Sequence, residues 1–122
     1  MEVEMRICGI IGLHFCVLIT GTLMAFHPTI FSGGRLVQTD PGDTLLNHYV
    51  LEHEWKWLTD SQYSASFWSP HFFHPTFDVL AYSENLIGTA PVYWLFRCFF
   101  EEVSSFQWWM MTVTALTYLS MA

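Results

Sequence analysis

Of 122 residues, 52% are hydrophobic and only 12% charged, against roughly 25% charged in average soluble proteins, so the composition points to a membrane protein. The net charge of −7 argues against nucleic acid or an anionic lipid surface as the main partner. The cysteines, Cys8, Cys16 and Cys98, lie in or beside apolar segments and lack C-x-x-C spacing, which excludes the usual signatures of a disulfide framework or a cysteine zinc site.

Residues 7–26 carry no formal charge and match the ~20 residues that a helix needs to cross ~30 Å of hydrocarbon. An uncleaved anchor fits this run better than a signal peptide. The apolar stretch exceeds the roughly 7 to 15 residues of a signal core, and no A-x-A site follows. His27-Pro28 is expected to end the helix, since a residue before proline is biased out of the α region. Ser32-Gly33-Gly34 and Asp40-Pro41-Gly42 then mark turns.

A second helix is expected over residues 44–58, with Leu45, Leu46, Tyr49, Val50 and Trp57 on one broad face and Asn47, His48, Glu52 and Lys56 largely on another. Such a helix suits the membrane interface, its tryptophans at headgroup level. Residues 67–75 hold two prolines among aromatic side chains and histidines. That composition suits an ordered loop rather than a helix or a central strand.

Two further spans are expected, over about residues 83–100 and 106–122, with Arg97 reaching to the far interface. The architecture read from the sequence is thus an all-α membrane protein of two to three transmembrane helices. Its large extracytoplasmic loop, residues 27–85, contains the amphipathic interfacial helix. Charge counting does not orient it: Arg6 and Arg97 fall on one side, Arg35 and Lys56 on the other.

Asp43 directly precedes the predicted interfacial helix. It reads either as a cap on the helix N-terminus or as a carboxylate that coordinates a divalent cation or acts as a general base. Asp40 suits a turn. His48 and Glu52 are four apart on one helix face, with His71 and His74 in the following loop, a weak pattern for a metal site without an H-E-x-x-H motif. Glu84 reads either as first-turn charge at a helix N-terminus or as a substrate contact. His14, alone in the first span, suits helix packing, and Glu101 and Glu102 suit a solvated turn.

Taken in order, the N-terminal span, Gly42-Asp43 leading into Leu45, Leu46 and Asn47, then Phe67-Trp68-Ser69-Pro70, then Ala81-Tyr82-Ser83-Glu84-Asn85-Leu86-Ile87-Gly88-Thr89-Ala90-Pro91, resemble the start of bacterial polytopic glycosyltransferases of the GT-C type. The resemblance covers nearly the whole chain. It implies a bacterial inner-membrane, multi-pass enzyme that moves a sugar from a polyprenyl-phosphate donor to an acceptor on the extracytoplasmic face. Asp43 matches the acidic reaction-centre position, with Glu84 and His48 as substrate-binding residues and a divalent cation as a possible cofactor at Asp43. His71 and His74 stand where the family pattern expects proline or aromatic residues. Proteins of this type have many more spans, so the resemblance also implies that this chain is the N-terminal part of a larger protein, inactive in isolation. The reading from another class is a small non-catalytic membrane protein whose aromatic loop binds a partner subunit. A His/Glu metal-binding membrane module is the third.

Overall fold

The computed structural model describes residues 2–37, 41–83 and 85–122. It is all-helical, with no strand among the described residues: α1 (Glu2–Phe31), α2 (Pro41–Thr59), α3 (Val79–Tyr82), α4 (Ala90–Arg97) and α5 (Glu102–Met121), with a 3₁₀ turn at His71–Phe73. The chain divides into two compact units. One comprises residues 1–38 and 107–122, the other residues 39–106.

In the first unit, Arg6–Phe31 of α1 is long and apolar enough to cross a membrane, with a mean hydropathy of 2.1. The core helix of a soluble protein would be mostly buried. Here none of the most apolar window is buried within the chain. α1 does not stop at His27. It bends at Phe26 (φ −109°, ψ 16°) and continues to Phe31 with Pro28 inside. Proline removes the N–H that would bond to the carbonyl four residues back, that of Met24. The His27 imidazole takes its place, Nδ1–H donating to Met24 O at 3.0 Å.

Beyond the bend, Gly33 and Gly34 turn the chain with φ of 65° and 82°, a conformation that a Cβ disfavours. Gln107 at the start of this unit's part of α5 donates Nε2–H to Gly34 O at 2.8 Å. Further along, His14 Nδ1 and Tyr118 Oη lie 2.9 Å apart. α1 and α5 are therefore pinned by polar pairs at two levels and run antiparallel.

The second unit is built around α2. Val50, Leu51, Glu52, His53 and Glu54 are buried one after another, and each residue turns ~100° about the axis, so the middle of α2 is enclosed on all sides. Leu80, Ala90, Tyr93 and Phe106 complete the core. The expected helix at 44–58 is present, but burial follows its middle and not one face: Val50 of the expected apolar face is buried at 2% exposure, Leu45 and Trp57 are 64% and 49% exposed, and Glu52 of the expected polar face is only 4% exposed.

The stretch 83–100 is not one continuous helix. Leu86 adopts a positive φ of 45°, residues 87–89 turn, and α4 begins at Ala90 with Pro91 in its first turn and is only eight residues or ~12 Å long. Arg97 does not reach outward, because both sides of its guanidinium are engaged within this unit. The residue 67–75 segment is irregular apart from its 3₁₀ turn, as its prolines require. Phe72 N–H donates to Tyr49 Oη at 3.0 Å, tying it to α2.

Candidate functional site

The polar centre of the second unit is Glu52. Tyr93 Oη donates to its Oε2 at 2.7 Å, and Arg97 bonds to both oxygens, Nε to Oε2 at 3.0 Å and Nη2 to Oε1 at 3.2 Å. Arg97 also donates from Nη1 to Phe100 O at 3.1 Å. Lys56, one turn on, brings Nζ to 3.7 Å from Oε1. Tyr93 and Arg97 are four apart on α4 and Glu52 and Lys56 four apart on α2, so helical spacing aligns each pair on one face. A planar guanidinium meets a carboxylate through two parallel hydrogen bonds, and here that geometry fastens α4 to α2.

His53 braces the other side of α2. Its Nε2 is 2.9 Å from Phe67 O and its Nδ1 2.9 Å from Tyr63 Oη. A carbonyl only accepts, so Nε2 carries the proton. Burial lowers the His53 pKa, more than the Phe67 carbonyl raises it. The ring is then neutral at pH 7, and Tyr63 donates to Nδ1. This is a structural brace whose nitrogens are both used.

His48 stacks on Phe106 with ring centroids 4.7 Å apart. Its Nε2 lies 3.4 Å from Glu102 Oε1, within ion-pair range, yet makes no hydrogen bond. Burial lowers the His48 pKa and outweighs the attraction of Glu102 and Glu52. A polar pocket of about 140 Å³ opens beside it, lined by His48, Tyr49, Glu52, Lys56, Tyr63 and Glu102 among others.

Asp43 lies in the first turn of α2, inside the helix rather than before it. It is exposed, and among the described residues no ion pair or side-chain hydrogen bond engages its carboxylate. Five residues separate Asp43 from His48, which places them about 140° apart around the helix. Asp43 does not line the pocket. The structure therefore brings His48 and Glu52 together but leaves Asp43 on a different face. Asp40 and Glu84 lie outside the described residues.

Comparison with protein-family models, curated proteins and solved structures finds no match. The site is read from its own geometry.

No group of three or more His, Cys, Asp or Glu side chains among the described residues is arranged to hold a metal ion. Divalent cations take several oxygen ligands, and Asp43 offers a single carboxylate. The described residues do not by themselves fit a protein-held cation. His71 is 3.3 Å from Ser64 Oγ and does not line the His48 pocket.

Glu54 was not marked by sequence reasoning. It is 0% exposed, neither of its oxygens has a hydrogen-bond partner, and desolvation pushes its pKa up to about 7. Its burial has no local sequence signal. The Glu52 cluster did have one: an arginine inside an apolar run needs a counter-charge, and Arg97 finds it in Glu52.

Proposed function

We propose that the chain is the N-terminal membrane segment of a GT-C-like glycosyltransferase that moves a sugar from a polyprenyl-phosphate donor on the extracytoplasmic face of a bacterial inner membrane. In this reading α1 crosses the bilayer and the reaction takes place on the extracytoplasmic face. Asp43 is the reaction-centre carboxylate, acting as general base on the acceptor hydroxyl. His48 and Glu84 contact substrate.

The observation that carries the reading is the state of Asp43. Glu52 is taken up by Tyr93 and Arg97 and Glu54 is enclosed, whereas Asp43 is an exposed carboxylate on the first turn of a long helix. A base must reach the proton that it abstracts and must be held in place. Exposure on the first turn of α2 supplies the access, and the helix fixes the backbone that carries the carboxylate. The order of sequence motifs supplies the reaction class. The test is sugar transfer by the longer parent protein carrying Asp43→Asn.

A second reading rests on Phe72, Phe77 and Tyr82, which are 68%, 74% and 90% exposed. Large exposed aromatic side chains close together in sequence fit the notion of an interaction surface, as in a non-catalytic membrane protein that binds a partner subunit. Replacing all three by serine separates the readings: lost partner binding with transfer intact favours the second for this surface alone.

A further inference from the structure

We propose that the pocket over Glu52 binds a neutral polyhydroxylated ligand, a single sugar ring being the best fit. The inference rests on the reading of His48 as a substrate contact and does not depend on Asp43. Its basis is the charge and size of the pocket.

The charged groups that line it are Glu52, Glu102 and Lys56. Glu52 is already neutralised by Arg97, with both oxygens engaged. Lys56 and Glu102 are about half exposed and remain able to meet a ligand. Lys56 can only donate and Glu102, as a carboxylate, can only accept. With the Glu52–Arg97 pair cancelled, an anion such as phosphate would gain Lys56 but face Glu102, and a cation would gain Glu102 but face Lys56. An apolar ligand would cover Lys56 and Glu102 without pairing either, which is costly.

A hydroxyl both donates and accepts. Neighbouring hydroxyls on one ring therefore satisfy Lys56 and Glu102 together and leave the Glu52–Arg97 pair undisturbed. Tyr49, Tyr63 and His48 contribute ring surface for the C–H faces of such a ligand. At about 140 Å³ the pocket is well below the ~300 Å³ at which sites for drug-sized ligands begin, which limits the occupant to roughly one ring.

The test is saturation-transfer NMR on the full chain in detergent micelles, with glucose, mannose, galactose and N-acetylglucosamine as probes and inorganic phosphate as the anion control. Transfer to at least one sugar is expected, with Kd raised about tenfold or more by Lys56→Met or Glu102→Ala, as loss of a hydrogen bond to a charged group implies. Helicity measured by circular dichroism is expected to stay unchanged in both variants. Absence of transfer to any of the sugars, equal transfer in both variants, or binding of phosphate instead would overturn the proposal. The readout is binding of free sugars to the chain and not sugar transfer, so failure of the pocket and failure of the catalytic reading are separate results.

Discussion

Arg97 closes on Glu52 from 45 residues away, with Nε and Nη2 reaching the two carboxylate oxygens at 3.0 and 3.2 Å. The pair converts an arginine of an apolar segment into the fastening between α4 and α2. Removing only one partner of a buried pair leaves an uncompensated charge and costs roughly 3–5 kcal/mol. Lys56 and Tyr93 remain beside Glu52 and Arg97 is partly exposed, so Arg97→Met is expected near the lower end, about 3 kcal/mol. The double variant Glu52→Met with Arg97→Met should regain most of that, because two apolar groups replace two charges. Unfolding in mixed micelles measures both. A double variant no more stable than Arg97→Met would refute the pairing argument.

His53 is expected to be neutral at pH 7 with its proton on Nε2, since Phe67 O can only accept. Long-range ¹H–¹⁵N correlation spectra identify the tautomer directly. Tyr63→Phe removes the donor to Nδ1 and is expected to destabilise the unit by about 1 kcal/mol. A proton found on Nδ1 would reverse the assigned direction of the Tyr63 bond.

Glu54 and the histidines His48 and His53 give opposite pH dependences. The Glu54 pKa is raised in the folded state from 4.5 to about 7. Its term favours folding fully below pH 4.5 and is lost as pH rises through 7, a difference of about 3 kcal/mol by linkage. The His48 and His53 pKa values are lowered from 6.5, so their term is present above pH 6.5 and is lost as pH falls towards the folded values. Glu54→Met should therefore stabilise the protein by up to about 3 kcal/mol at pH 8 and by much less at pH 5. What remains in that variant is stability that falls on acidification below pH 6.5. Thermal unfolding of both proteins from pH 4.5 to 8 checks this. Equal stabilisation at both ends would mean that Glu54 is not the titrating group.

Orientation is open to chemical labelling. Cys8, Cys16 and Cys98 are replaced by serine and a cysteine is introduced at the exposed Ser64. An impermeant thiol reagent is then expected to label intact cells. Labelling only after lysis would place residues 39–106 on the cytoplasmic side.

The elements set by local composition were legible in the sequence. The apolar run at 7–26 announced α1, and the spacing of residues 44–58 announced α2. What was not legible came from contacts distant in sequence. Pro28 reads as a stop, yet His27 supplies the Met24 carbonyl with a substitute donor and the helix bends instead. The face of α2 was misassigned because periodicity assumes one solvated side. Glu52 and His53 are buried because Tyr93, Arg97, Tyr63 and Phe67 meet them, information held in no local window. Apolarity over 83–100 suggested a span, but the backbone at Leu86 and the capture of Arg97 by Glu52 limit α4 to eight residues. Glu101 and Glu102 were expected in a turn, whereas Glu102 opens α5, where a carboxylate favours the positive end of the helix. Asp43 was singled out in the sequence by its position alone. That its carboxylate stands exposed on another face from His48 required the structure.

The central claim is that Asp43 acts as the reaction-centre base of a sugar transfer. The direct measurement is transfer from a polyprenyl-phosphate-linked sugar by the longer parent protein, with Asp43→Asn compared with wild type at equal expression. Loss of a general base is expected to lower the rate by about 10²- to 10⁴-fold, with the fold intact because Asp43 is exposed and without a structural partner among the described residues. Transfer by the variant at the wild-type rate would contradict the account.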